Sequence, residues 1–276
     1  MYESETVGFS IARPMHEVYE FLLEPTNFAL WGFAGEADMR HLSGRDWETE
    51  TSVGRRIIRF PGRNAFGVLD VLTYRESGGE PLPVGAWVVP NGAGTELVLT
   101  CFRHPLMEEA EWASFRSWLD SDFLALQSLL EARGVVAPLY KARAISLGIA
   151  RPLGEVYDFL AEPTHFSSWA FVEHSRMEPL GQGEWGVETS VGRRIVRFGP
   201  RNDHGVLTYE SRLSLADPWH LLPMRVLGNR AGTELVYVFL QRPGSSEAAF
   251  ASLMEWVTAD LLALKSILEA SPIPPG

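Results

Sequence analysis

An internal repeat limits what this chain can fold into more than any other feature of its sequence. The chain matches itself at an offset of 138 residues (residue 50 recurs as residue 188), and the register holds from Ile11 to Ala132. The identical runs include ETSVGRRI at 50–57 and 188–195, IARP at 11–14 and 149–152, and AGTELV at 93–98 and 231–236. A repeat this long exceeds a solenoid unit and has the size of a compact domain. The sequence therefore predicts two tandem copies of one domain, at residues 1–135 and 145–276, with a linker at 136–144.

Composition and charge exclude several classes of protein. Of the 276 residues, 46% are hydrophobic and 21% charged, which is typical of a soluble globular protein. The net charge of −11 argues against nucleic acid or an anionic membrane as the main partner. The sequence has no apolar run long enough to span a membrane, no signal-peptide pattern at its start and one cysteine, Cys101. We therefore expect a cytoplasmic protein without membrane insertion, with Cys101 in its core.

Each copy is predicted to be an α+β domain. In the first copy, residues 7–12 are a strand candidate, and residues 35–103 alternate strands with turns that contain Gly and Pro. A long amphipathic helix at residues 108–131 ends the copy. Its apolar face consists of Trp112, Phe115, Leu119, Phe123, Leu126, Leu129 and Leu130. The equivalent face in the second copy consists of Phe250, Leu253, Trp256, Val257, Leu261, Leu264 and Leu268. A curved antiparallel sheet wrapped around this helix would bury the face and leave a cavity beneath it.

Several short motifs accompany this order of elements. They are IARP at 11–14, EVY at 17–19, EPT at 24–26, and Asn-X-X-Gly-Val-Leu at 64–69 and 202–207. Together they resemble the START-like (SRPBCC) superfamily, which includes Bet v 1-like proteins, polyketide cyclases and lipid-transfer proteins. The resemblance covers both copies almost entirely. It implies a helix-grip fold in each copy, with an apolar pocket under the long helix. Some members carry or sense a hydrophobic ligand, and others catalyse cyclisation and dehydration of polyketides.

Two aspartates in apolar surroundings are candidate catalytic residues. Asp122 lies within the apolar face of the first long helix, and Asp260 lies within that of the second. A buried carboxylate needs a hydrogen-bond donor or a raised pKa. We interpret each as an acid or base that touches the ligand, with pairing to a sheet arginine as the structural alternative.

An arginine cluster could supply that partner. Its members are Arg55, Arg56 and Arg59 in the first copy, and Arg193, Arg194 and Arg197 in the second. Because alternate residues of a strand share a face, one set could face the cavity and the other solvent. An inward guanidinium could bind a carboxylate or stabilise an enolate oxyanion. We choose Arg59 and Arg197 as oxyanion ligands and Arg55 and Arg193 as ligand-binding residues; a solvated outer face is the alternative.

Six tryptophans recur at equivalent positions of the two copies. They are Trp31, Trp47, Trp118, Trp169, Trp185 and Trp256. Such rings could line a cavity for a flat or lipid-like ligand, although packing in the core would explain them as well.

Cofactor and metal motifs are weak in this sequence. Residues 181–186 spell G-x-G-x-x-G, but a strand pattern follows them where a dinucleotide site needs a helix, so we predict a hairpin turn. No histidine recurs in both copies, and the one cysteine cannot form a thiolate site. We expect no cofactor and no metal.

The sequence leaves three functions open. The first is binding of a lipid- or polyketide-like hydrophobic small molecule in one or both cavities. The second is an aromatase/cyclase-type enzyme that catalyses intramolecular aldol closure and dehydration. The third is a non-catalytic interaction module, with Leu124 and Leu262 opposite the core stripe as a contact between domains or in a homodimer. Residues 70–87 and 208–225 differ strongly between the copies, so the two cavities are expected to bind different ligands, or one has become structural.

Overall fold

The chain divides into two compact units. They are Tyr2–Ala142, called the first unit here, and Arg143–Gly276 with Met1, called the second unit. The computed structural model describes residues 1–32, 38–50, 54–75, 80–132, 134, 136–170, 176–189, 192–241 and 243–270. The domain boundaries taken from the repeat stay a prediction. Within those ranges, no helix is long and apolar enough to cross a membrane.

The described part of the first unit forms one antiparallel sheet and three helices. The elements are β1 (Ser4–Ile11), α1 (Met15–Leu23), α2 (Pro25–Phe28), β2 (Asp38–Ser43), β3 (Asp46–Glu50), β4 (Arg56–Arg59), β5 (Val71–Arg75), β6 (Leu82–Asn91), β7 (Gly94–Phe102) and α3 (Glu109–Glu131). The sheet order is β1-β7-β6-β5-β4-β3-β2, so the first strand pairs with the last. Helix α3 shares one hydrophobic core with β1, β6 and β7.

The second unit repeats this order with one interruption. Its elements are β8 (Ala142–Ile149), α4 (Leu153–Ala161), α5 (Phe166–Trp169), β9 (Arg176–Gly181), β10 (Glu184–Thr189), β11 (Gly192–Phe198), β12 (Tyr209–Arg212), β13 (His220–Leu222), β14 (Met224–Asn229), β15 (Gly232–Leu240) and α6 (Glu247–Ala270). The strands form two sheets, β13-β12-β11-β10-β9 and β14-β15-β8. Pro223 is the residue between β13 and β14. Gly85 is the equivalent residue in the continuous strand β6.

The two long helices pack as their apolar faces predict. In α3, Trp112, Phe123, Leu126 and Leu130 are buried, and the other members of the face pack against the core. In α6, Phe250, Leu261, Leu264 and Leu268 are buried. The prediction that Trp256 belongs to the apolar face of α6 is wrong, since this residue is 58% exposed. Leu124 and Leu262 are exposed, and the homodimer stays a prediction.

The Asn-X-X-Gly-Val-Leu motif forms a self-contained loop. Asn64 Oδ1 accepts from the N–H groups of Phe66 and Val68 at 3.0 and 3.1 Å, and Asn64 Nδ2 donates to the Val68 carbonyl at 2.7 Å. The Tyr19 hydroxyl accepts from the Asn64 N–H at 2.8 Å. Gly67 has φ +71°, and a Cβ there would lie 2.6 Å from the Val88 carbonyl oxygen. Asn202 makes the same contacts in the second unit, so this motif is structural in both copies.

The chain that follows helix α3 stays attached to the first unit. The Ala93 N–H donates to the Pro138 carbonyl at 3.1 Å. Asn91, whose side chain is fully buried, accepts from the Tyr140 N–H at 2.8 Å and donates to the Tyr140 carbonyl at 3.0 Å. Residues 138–140 are therefore held against the β6–β7 hairpin.

Candidate functional site

The first unit contains a cavity between its sheet and the N-terminal half of helix α3. The volume of the cavity is about 440 Å³, within the range of small-molecule sites. Strands β4 to β7 form the floor, with Arg56, Ile58, Thr73, Leu82, Val84 and Cys101. The helix and the loop before it form the roof, where Met107, Trp112, Phe115 and Trp118 are the large apolar lining side chains. The site is therefore an apolar chamber with a few polar side chains.

The strand register decides which arginine reaches this chamber. Ile58 pairs with Thr73 on β5, and both side chains line the cavity. Arg56 lies two residues before Ile58 and shares its face, so its side chain lines the cavity as well. The alternation within the strand is as predicted, but the choice of Arg55 and Arg59 as the inward set is wrong.

Arg55 and Arg59 make ion pairs on the outer face of the sheet. Arg59 donates to both carboxylate oxygens of Asp46, at 2.6 and 2.9 Å, and this hydrogen bonding lowers the pKa of Asp46. Arg55 pairs with Glu48, which also accepts from Arg40 Nε at 2.7 Å. Neither arginine is among the described residues that line the cavity.

The second unit places its arginines in the same way. Arg193 donates to Glu178 at 2.6 Å. Arg197 pairs with Glu210, and the hydrogen bond raises the pKa of the guanidinium. Arg194, the equivalent of Arg56, lies close enough to the interior for its charge to act on a buried tyrosine, Tyr209. The prediction that Arg193 and Arg197 face inward is therefore wrong for the same reason of register.

The two aspartates are both half-buried, but their neighbours differ. Burial is the main cause that raises the pKa of the Tyr209 hydroxyl, and the charge of Asp260 is the second cause. Asp260 therefore lies close to Tyr209. Asp122 is not among the described lining residues of the first-unit cavity. The predicted combination of Asp122 and Arg59 around one ligand position is therefore not formed, since Arg59 lies on the outer face.

One of the three predicted tryptophans of the first unit reaches the cavity. Trp118 lines it and is 39% exposed, so it lies at the edge toward solvent. Trp31 packs in the core, with its ring 6.4 Å from that of Phe123. Trp47 contacts His41, with ring centroids 4.9 Å apart. Of the three predicted tryptophans, Trp118 is therefore the one that a ligand in this cavity would touch.

The three predicted tryptophans of the second unit lie in two different environments. Trp169 is buried in the core, with its ring 5.3 Å from that of Phe166. Trp185 packs against the same core from the sheet. Trp256 is largely exposed. Core packing, the alternative given for these residues, describes Trp169 and Trp185.

The sequence analysis missed several polar lining residues as site residues, among them Glu80, Cys101, His104 and Glu111. Burial raises the pKa of the Cys101 thiol to about 12, so the side chain stays neutral. His104 Nδ1 accepts from the Leu106 N–H at 3.2 Å, which leaves Nε2 to carry the proton of the neutral ring. Inward alternation along β7 could have identified Cys101, whereas the loop positions of Glu80 and His104 carry no such signal.

The G-x-G-x-x-G segment begins with a hairpin turn. Gly181, Gln182 and Gly183, with φ of +93°, +54° and +77°, connect β9 to β10. A strand follows the glycines, as predicted, where dinucleotide binding requires a helix N-terminus.

Solved structures resemble this chain over its whole length at low sequence identity. DynU16, a protein of the dynemicin biosynthetic locus, is 17% identical with a TM-score of 0.39, over 97% of this chain and 98% of its own. The di-domain ARO/CYC BexL from the BE-7585A biosynthetic pathway is 15% identical with a TM-score of 0.37, over 98% and 100%. A protein from Mesorhizobium loti matches 48% of this chain over 100% of its own, at 16% identity and a TM-score of 0.39.

No family model matches the chain, and no curated protein matches it significantly. The first unit has one antiparallel sheet and one long C-terminal helix, and the second unit has two antiparallel sheets and one long C-terminal helix. The predicted α+β fold of two tandem helix-grip domains, each with antiparallel strands packed on a long C-terminal helix, is thereby confirmed.

Proposed function

We propose that the first unit binds a small molecule with an apolar body and at least one oxygen group. The observation that carries this proposal is the cavity of about 440 Å³ under helix α3, lined mainly by apolar side chains. Burial of the ligand would supply most of the affinity, at about 0.8 kcal/mol for each buried CH₂ group. Arg56 would orient the ligand by donating to its oxygen.

Binding is favoured over the two alternatives. The cyclase hypothesis relied on Asp122 or Asp260 as acid or base and on Arg59 or Arg197 as oxyanion ligand. Arg59 pairs instead with Asp46, and Arg197 pairs with Glu210. The interaction-module hypothesis expects filled interiors, whereas the first unit has open space beside Cys101.

Filling the cavity from its floor tests the proposal. Cys101→Phe is expected to weaken binding of the uncharged dye N-phenyl-1-naphthylamine at least tenfold, because the added ring takes up space that the dye needs. Cys101→Ala is the matched control, since it removes the thiol and leaves the space, and it should bind the dye as the wild type does. Fluorescence titration measures both affinities, and circular dichroism checks that each variant is folded.

Two results would contradict the proposal. If the wild type does not bind the dye, or if folded Cys101→Phe binds it with unchanged affinity, the cavity is not an apolar binding site. Cys101→Leu offers a smaller increase in volume should the phenylalanine variant fail to fold.

The role of Arg56 gives a separate prediction. Dodecanoate and dodecanol share one apolar chain and differ in the head group. Arg56→Met is expected to weaken dodecanoate about tenfold relative to dodecanol, because a hydrogen bond to a charged group contributes about 1.5–3 kcal/mol. Arg59→Met, on the outer face, should leave the ratio unchanged. Displacement of the dye measures the ratio, and an equal ratio in both variants would remove Arg56 from the site.

A further inference from the structure

The two copies differ in side-chain size on the inner face of the sheet. The offset of the repeat aligns Val71 with Tyr209, Leu99 with Tyr237, and Cys101 with Phe239. Cys101 lines the cavity of the first unit. Tyr209, Tyr237 and Phe239 belong to the buried core of the second unit. At all three positions the second copy therefore carries an aromatic ring where the first copy carries a smaller side chain.

These three rings, called the aromatic plug here, pack against one another. The ring centroids of Tyr237 and Phe239 are 4.2 Å apart, and those of Tyr209 and Tyr237 are 5.9 Å apart. The hydroxyl groups of the two tyrosines hydrogen-bond to each other. Phe166 closes the group from the helical side, 5.1 Å from Tyr209. Cys101 is the one of the three aligned residues that lines the first-unit cavity, so the ring of Phe239 stands at a position that corresponds to the cavity floor, with the rings of Tyr209 and Tyr237 packed beside it.

The polar ends of the plug are also satisfied within the interior. Tyr209 and Tyr237 are 6% and 2% exposed, so their hydroxyl groups do not depend on solvent for a partner. Burial and the nearby charge of Asp260 raise the pKa of Tyr209, which keeps its hydroxyl protonated and able to donate. A ligand that entered would have to break this pair and displace the packed rings, at a cost in dispersion contacts and hydrogen bonding.

The side chains of the helix that faces the sheet are smaller in the second copy, whereas those of the sheet are larger. Trp112 and Phe115 of α3 correspond to the smaller Phe250 and Leu253 of α6. This reduction leaves room for the larger side chains of the sheet.

Two acidic residues of the first-unit cavity are also lost in the second copy. Glu80 corresponds to Pro218, and Glu111 corresponds to Ala249. The second copy therefore lacks these two polar lining groups and also carries the plug.

We infer that the two units have different roles: the first unit binds one ligand, and the aromatic plug closes the interior of the second unit. The inference rests on the proposed function of the first unit. Cys101 and Phe239 are the positions that determine whether each half is open. The second unit is then a structural domain whose interior is completed by its own side chains.

Ligand stoichiometry of the full chain tests this inference. Isothermal titration with N-phenyl-1-naphthylamine is expected to give one dye per wild-type chain and none at the same concentrations for Cys101→Phe. The double substitution Tyr237→Leu with Phe239→Cys gives the second copy the side chains of the first, and it is expected to bind two. Every substitution is thus taken from the other copy of the repeat.

Failure of the inference can be distinguished from failure of the proposed function. Two dyes per wild-type chain, with one remaining in Cys101→Phe, would overturn the division of roles and leave the first-unit site intact. No binding by the wild type, or a single wild-type site that keeps its full affinity in folded Cys101→Phe, would overturn the proposed function itself. A folded double variant that still binds one dye would contradict the role of Tyr237 and Phe239 as the plug. If that variant does not fold, the stoichiometries of the wild type and of Cys101→Phe test the inference.

Discussion

Replacing Trp112 by alanine is expected to lower the free energy of unfolding by about 3–5 kcal/mol, as large-to-small changes of buried aromatic residues do. Trp112 is 1% exposed, and its ring stacks on that of Phe115 with centroids 5.4 Å apart. Its side chain also forms part of the cavity roof, so the change both enlarges the cavity and removes core contacts. Denaturant unfolding followed by circular dichroism measures the loss without relying on tryptophan fluorescence.

Trp118 provides the matched control for this prediction. It lines the same cavity from the same helix but is 39% exposed, so Trp118→Ala should cost about 1 kcal/mol or less. Dye binding should nevertheless weaken, because the ring at the edge of the cavity is lost. Equal losses of stability in the two variants would show that Trp112 is not the core residue described here.

Gly205→Ala is expected to destabilise the second unit by about 2–4 kcal/mol. Gly205 has φ +70°, which L side chains rarely adopt, and an added Cβ would collide with the Val226 carbonyl oxygen. The neighbouring hydrogen bond, from the Val226 N–H to the Gly205 carbonyl at 2.9 Å, would be disturbed by any shift that relieves the collision. Thermal unfolding of the variant measures the effect.

Substitution of a second glycine of the same unit by alanine should change the stability in the opposite direction. Gly154 lies in helix α4, and no described atom lies within 4 Å of a Cβ added there. Gly154→Ala should therefore stabilise the chain by about 0.5 kcal/mol, through helix propensity alone. If both substitutions have the same sign, backbone geometry does not explain the glycine of the Asn-X-X-Gly-Val-Leu motif.

The repeat and the helix periodicity predicted most of the fold, because both are properties of the local sequence. The apolar face of α3 predicted which of its side chains pack against the sheet, since a helix has a fixed angular period. Trp256 was misplaced because it stands on the flank of such a face, where the neighbouring strands decide exposure.

Only part of the candidate site could be predicted, because the site depends on strand register. Alternation shows that Arg55 and Arg59 share a face and that Arg56 has the opposite one, but it does not show which face is inward. That choice is made by pairing with other strands, as in the pair of Ile58 with Thr73. The aromatic plug did have a sequence signal: a comparison of the two copies at alternate positions of β7 and β15 gives Leu99 against Tyr237 and Cys101 against Phe239.

The attachment of residues 138–140 to the first unit affects how the chain can be cut into independent halves. Asn91 also donates to Glu96 at 3.1 Å, and burial raises the pKa of this carboxyl group. A first half truncated at residue 135 would lose Tyr140 and, with it, both hydrogen bonds that Asn91 makes to the Tyr140 backbone, next to a desolvated acid. A half that ends after residue 140 keeps the group intact, so limited proteolysis of the native protein should spare the peptide bonds between Pro138 and Tyr140.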